Sequence, residues 1–178
     1  GALIALDQMD DGDLTVDDVV PLVASADGEL QRAAAESFSR HHDWKIRSPD
    51  VIARLLASHA SVERNASVIR KLTLQSLGDD NVGGLVGRLL SDAATPAATR
   101  DVLLAAMADG QNVPLHGSWI EPLERMLDQS QDPRANEQAI AVLDALESDR
   151  FQDRLNQWGA DESRPTLLRV AALEAATG

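Results

Sequence analysis

Four stretches of the chain carry residue types that could do chemistry if the fold placed them well. Asp7, Asp11, Gly12, Asp13, Leu14 and Asp18 match the first, fifth, sixth, seventh, eighth and twelfth places of a calcium loop, in which oxygen ligands wrap a hard cation. Met9 stands at the third place, which needs an oxygen ligand, and Asp18 is shorter than the usual bidentate glutamate. The segment therefore reads as an acidic inter-helix loop whose Thr15 caps the next helix. His41-His42-Asp43 has metal-ligand types, but neighbouring residues on a helix point in different directions. The other histidines, His59 and His116, lie elsewhere in the chain, so exposed imidazoles at a helix end are expected. Gly83-Gly84-Leu85-Val86-Gly87 is glycine-rich but lacks the Lys-Ser/Thr of a phosphate loop and follows no strand. Its glycines are expected to let another helix come close. Trp44, Trp119 and Trp158 are isolated and are expected to plug gaps between repeats, since a stacking platform needs several aromatics together. The chain has no cysteine, which removes disulfides, thiolate metal sites, iron–sulfur clusters, thiol catalysis and covalent haem attachment. The reading assigns no catalytic, cofactor-binding or metal residue, and expects a chain that is not an enzyme.

Charge narrows the partners. The net charge is −13, and residues 1–31 hold eight acids with no Lys or Arg. Nucleic-acid binders need a basic stripe to displace counterions, and this field is the reverse. The only lysines are Lys45 and Lys71, too few for an anionic membrane surface. Apolar runs stay well under the ~20 residues that cross a bilayer, and no signal-peptide pattern is visible at residue 1. Expected partners are therefore proteins or neighbouring domains of the same chain, with no nucleic acid and no membrane insertion. The acid excess serves solubility first; a basic partner at the N-terminal end is the sharper alternative.

The elements that would position these residues come from internal repetition. Five segments align, starting at Pro21, Arg54, Arg88, Arg125 and Arg154, with starts 33, 34, 37 and 29 residues apart. Each closes a short helical pattern and is followed by a polar turn and a second, Ala-rich helical pattern. Val82, Leu85, Val86, Leu89 and Leu90 recur at helical spacing, as do Ala135, Ala139, Val142, Leu143 and Leu146. Ser48-Pro49, Thr95-Pro96 and Asp132-Pro133 read as a capping oxygen before a proline at the first helical position. Ser118 to Glu121 reads as a capping box, Thr15 to Asp18 as a looser one with Asp at the third place. Gly110 and Gly159 stand where helices should stop. The expectation is about ten helices in antiparallel pairs, without a sheet, forming a single domain over residues 1–178.

This pattern resembles the HEAT-repeat family. Asp27-Gly28-Glu29-Leu30-Gln31-Arg32-Ala33-Ala34-Ala35-Glu36-Ser37-Phe38 and Asp132-Pro133-Arg134-Ala135-Asn136-Glu137-Gln138-Ala139-Ile140-Ala141-Val142-Leu143 carry the family's turn into an Ala-rich second helix. Segments from His59, Thr95 and Arg164 are degenerate copies. An arginine recurs five residues after these turn positions at Arg32, Arg64, Arg100 and Arg169, with Glu137 in the fourth repeat. The resemblance implies an α-solenoid of about five helix pairs and an Asp–Arg ladder between repeats. The turn acid is kept only at Asp27 and Asp132, so any ladder is broken. Residues 2–58 also resemble the repeat region of large bacterial proteins that join a dehydrogenase-like propeller, HEAT-like repeats and a c-type haem domain. That resemblance implies a linker region in an extracytoplasmic, periplasmic setting, and residues 1–9 would be the second helix of a repeat whose first helix is missing. The function implied is a non-catalytic scaffold, spacer or protein-interaction module. The alternative is a role like that of HEAT-like lyases that attach chromophores to partner proteins; the charge speaks against the HEAT-like DNA glycosylases.

Overall fold

A computed structural model describes residues 14–57, 59–111, 113–129, 132–146 and 149–177. Among them the chain is helical, with ten α-helices, four 3₁₀ segments and no strand. It divides into two compact units, the first ending at Ser76 and the second beginning at Leu77.

The first unit opens with α1 (Val16–Val19), which runs into a 3₁₀ turn at Val20–Ala24. Then come α2 (Gly28–Arg40), a 3₁₀ stretch at His42–Arg47, α3 (Ser48–Leu55) and α4 (His59–Ser76). The Val20–Ala24 turn packs on both α2 and α3, while α4 packs on α3 and α2. Val51, Ile52 and Leu55 of α3, Ile69 and Leu72 of α4 and Phe38 of α2 are all buried. Ala34 and Ala35 are fully buried; their small side chains let the second helices approach one another.

The second unit holds α5 (Asp80–Ser91), α6 (Ala97–Ala108), a 3₁₀ turn at Gly117–Trp119, α7 (Ile120–Gln129), α8 (Pro133–Ala145), a 3₁₀ turn at Asp149–Phe151, α9 (Gln152–Ala160) and α10 (Thr166–Ala175). Within pairs, α5 packs on α6, α7 on α8 and α9 on α10. Between pairs, α5 meets α7, α6 meets α8 and α8 meets α10. The buried faces of the second helices carry Leu103, Ala106 and Met107, then Ala139, Ile140 and Leu143, then Leu168 and Ala172.

Several local expectations need correction. The buried stripe of α5 is Val82, Val86 and Leu90 together with Gly83 and Gly87, while Leu85 and Leu89 are half-exposed. The phase is set by the turn at residues 116–119, which rests on the glycine side of the helix. Asp132 does cap α8 through a bond from the Arg134 N–H at 3.0 Å. Ser48 does not cap: the preceding 3₁₀ stretch runs straight into α3, and Ser48 is buried within the helix. Thr95 is buried too, and Pro96, with no capping side chain, stands at the N-cap of α6. Asp79, unremarked in the sequence, caps α5 by accepting from Asn81 and Val82. Gly110 stands just past the end of α6, as expected, and Gly159 is the penultimate residue of α9; neither is left-handed. A methyl on Gly159 would stand 2.3 Å from Leu173 Cγ, so its lack of a side chain lets α10 close on α9. The helix at residue 59 also carries an unforeseen break, at Asn65 (φ −113°, ψ 16°).

Candidate interaction groove and the ties between repeats

Several polar ties between helices join residues 33 to 37 apart. In the first unit Gln31 on α2 is buried. Its Oε1 accepts from Asn65 Nδ2 at 3.0 Å and from Arg64 Nη1 at 2.9 Å, 34 and 33 residues away. Its Nε2 donates to the Val23 carbonyl at 2.8 Å and lies 3.1 Å from Ser61 Oγ. Asn65 Nδ2 also reaches the Ser61 carbonyl at 2.9 Å, which accounts for the break in α4: the side chain bonds to the backbone of its own helix. Gly28 sits under the Arg64 side chain, whose Cδ would be 3.1 Å from an added methyl.

In the second unit several ties fall at similar spacing, while one, Arg154 to Asp128, spans 26 residues. Arg125 Nη1 donates to the Ser91 carbonyl at 3.2 Å across 34 residues. Arg134 Nη2 bonds Asp101 at 2.9 Å across 33 residues, and Gln138 Nε2 bonds the other oxygen of Asp101 at 3.2 Å. Arg154 pairs with Asp128 at 2.9 Å. The Asp–Arg ladder implied by the family resemblance is thus replaced by other donors and acceptors. Arg134 pairs with Asp101, neither of them a turn acid or a recurring arginine.

The glycine-rich stretch shows what its glycines permit. Trp119 Nε1 donates to the Gly83 carbonyl at 2.8 Å and Ser118 Oγ lies 3.2 Å from the same oxygen. A methyl on Gly87 would stand 2.0 Å from Ser118 Oγ, and one on Gly83 would stand 2.7 Å from the His116 ring. The two glycines are one helical turn apart and receive a 3₁₀ turn rather than another helix. His116 Nδ1 accepts from the Ser118 N–H at 3.2 Å and lies 2.8 Å from Ser118 Oγ. This serine–histidine pair is a clip, since the oxygen is pressed against Gly87 and the Gly83 carbonyl. It also replaces the capping box expected from Ser118 to Glu121: Glu121 instead bonds Arg125 at 2.6 Å.

A second clip of the same spacing escaped notice. His41 and Trp44 stack with centroids 3.9 Å apart, and the Trp44 N–H bonds the His41 carbonyl at 3.2 Å. His116 and Trp119 repeat the sequence spacing and the backbone bond, at 3.0 Å, but their rings are tilted with centroids 5.6 Å apart. The recurrence of His-x-x-Trp at 41–44 and 116–119 was the signal available in the sequence. All three tryptophans are buried, and Trp158 is covered by the Arg164 guanidinium at 3.4 Å from the ring centroid.

Of the acidic loop, Asp7 to Asp13 lie outside the described residues. Asp18 is committed to capping: its carboxylate accepts the Thr15 N–H at 3.0 Å and the Thr15 hydroxyl at 2.6 Å. The hydroxyl bond, then the backbone bond, hold its pKa below the ordinary aspartate value. Asp161 is lowered in the same way by Ser163, with Arg164 adding to the effect. The His42 side chain lies outside the description, and no group of three or more His, Asp or Glu is arranged to hold a metal among the described residues. No helix among them is long and apolar enough to cross a membrane.

A groove of about 410 Å³ lies in the second unit, where α5–α6 meets α7–α8. Leu90, Leu104, Met126 and Ala135 contribute its apolar lining, and Arg100 and Arg125 bring two guanidinium groups. No protein-family model, curated protein or solved structure matches the chain.

Proposed function

We propose that the chain is a non-catalytic helical-repeat module, an α-solenoid of HEAT-like pairs that binds or spaces polypeptides. The partners are other proteins or neighbouring domains of its own protein. The observation that supports this reading is the spacing of the ties: Arg64 and Asn65 to Gln31, Trp119 to Gly83, Arg125 to Ser91 and Arg134 to Asp101 join residues 33 to 36 apart. In a solenoid each repeat contacts only its neighbours, so polar ties fall at one repeat length. The resemblance of residues 2–58 to the repeat region of bacterial multidomain proteins fits the same role, and carries with it an extracytoplasmic location.

A photo-crosslinking amino acid placed at position 126, in the groove, tests the role in an extract of the cell that encodes the chain. Capture of one defined polypeptide, absent when the crosslinker stands at exposed position 162, is the expected result. Capture of nothing from position 126 or from further positions on α6 and α8 would overturn the binding role.

A further inference from the structure

The recurring arginines differ in how they are used. Arg32 pairs with Glu29 on its own helix. Arg64 bonds Gln31 at 2.9 Å, and Arg169 Nε donates to the Gly159 carbonyl at 3.0 Å. These three are spent on the fold. The Arg100 guanidinium engages no described residue, and it lines the groove of the second unit.

The groove's other polar groups have partners. Asp101 has one oxygen on Arg134 and the other on Gln138. Arg125 is divided between the Ser91 carbonyl and Glu121. Asp92 and Asp132 each accept a backbone N–H two residues on, from Ala94 and Arg134. What is left over is one forked donor beside an apolar lining of Leu90, Leu104 and Met126.

We propose that this groove binds a peptide segment that sets a carboxylate on Arg100 and an adjacent apolar side chain on Leu90, Leu104 and Met126. The planar guanidinium presents paired N–H donors that match a carboxylate, and such charge-assisted bonds exceed neutral ones in strength. A polyanion is a poor fit, because a chain of net charge −13 repels it as a whole. The lining sets Asp92, Asp101 and Asp132 beside Arg100 and Arg125, so a single carboxylate is admitted only at Arg100 itself, whose donors engage no described residue. The groove runs along the seam between two helix pairs and is open to solvent. That suits an extended peptide, whereas small-molecule sites bury about 70–90% of their ligand. The proposal rests on the protein-interaction reading above and names the chemistry of the partner.

The test uses the full ¹⁵N-labelled chain, titrated with the blocked tripeptide acetyl-Leu-Glu-Leu-amide and read by arginine Nε–H and backbone amide resonances. Saturable shifts are expected at Arg100 Nε–H and at the amides of Leu90 and Met126. Affinity should fall about tenfold or more with acetyl-Leu-Gln-Leu-amide, the scale of one lost charge-assisted bond. The same loss is expected for Arg100→Gln, whose circular dichroism and melting should match the parent's. Free 4-methylpentanoate should bind more weakly than the glutamyl peptide; if it binds more tightly, the groove takes small acids and the peptide proposal falls. Stronger binding of acetyl-Leu-Lys-Leu-amide would mean that Asp92 and Asp132 govern the groove, which also overturns it. If no probe shifts these resonances at millimolar concentration, the proposal is wrong, while the repeat architecture is judged separately by hydrogen exchange.

Discussion

Adding one methyl group at Gly87 should destabilise the protein, although glycine inside a helix is ordinarily a weakness. Replacing an interior helical glycine by alanine removes about 0.5–1 kcal/mol of backbone entropy cost. At Gly84 that gain should appear nearly whole, because the new Cβ would meet only Arg88 Nη1, at 3.6 Å. At Gly87 the Cβ would lie 2.0 Å from Ser118 Oγ, 2.5 Å from Ser118 Cβ and 2.8 Å from the Ser118 carbonyl oxygen. Two of these three atoms cannot be swung aside by a side-chain rotation, so the turn itself must move. Overpacking of this kind costs about 1–3 kcal/mol. A displaced turn also stretches the buried Trp119 Nε1 bond to the Gly83 carbonyl, 2.8 Å long, whose loss costs about 1–3 kcal/mol. Subtracting the propensity gain leaves a net loss of about 1–5 kcal/mol for Gly87→Ala, against a gain of about 0.5–1 kcal/mol for Gly84→Ala. Denaturant melts at constant slope measure both. In a chain of 178 residues each kcal/mol moves Tm by about 2–4 °C. A Gly87→Ala variant as stable as Gly84→Ala would refute the seating of the 116–119 turn on α5.

Other substitutions probe the remaining parts. Leu103→Ala, at a fully buried site of α6, should cost about 2–5 kcal/mol, while Leu89→Ala, half-exposed on α5, should cost clearly less in the same melts. Gln31→Leu leaves the Val23 carbonyl and the Asn65 amide without their buried partner; at about 1–3 kcal/mol for each stranded group, chemical denaturation should show a loss of about 2 kcal/mol or more. The Asp18 cap should depend on pH: its folded pKa is lowered, so its contribution is full above the ordinary aspartate value of about 3.9 and is lost as pH falls through the lower folded value. Melting of the parent and Asp18→Asn should therefore differ at neutral pH and converge in acid; a difference that persists in acid would mean the carboxylate charge is not what holds Thr15.

What could be read from the sequence was local. Asp27 and Asp132 were legible as turn acids because capping involves residues only two or three positions away. The all-helical composition followed from apolar spacing that runs through most of the chain. The phase of α5 was not legible, because it is decided by Ser118 and Trp119, some 35 residues distant. Ser48 and Thr95 look like caps in isolation, but both are buried and the backbone around them takes another path. Gly110 marks the end of α6 as its type suggests, while the close approach of Leu173 that Gly159 permits is tertiary. The groove escaped for a similar reason. Arg100 repeats a pattern that also holds Arg32, Arg64 and Arg169, and only packing separates it, which engages no described residue, from the three that do.

The neighbour-only architecture is tested most directly by native-state hydrogen exchange on Trp158→Ala. Trp158 is buried in α9 beneath Arg164, and its truncation removes about 3–5 kcal/mol of local stability. If stability is a sum of repeats and their interfaces, amides of α9 and α10 should lose most of their protection, those of α8 less, and those of α5, two pairs away, almost none. An equal loss of protection from α5 through α10 would show one shared cooperative core and would contradict the repeat reading on which the proposed function stands.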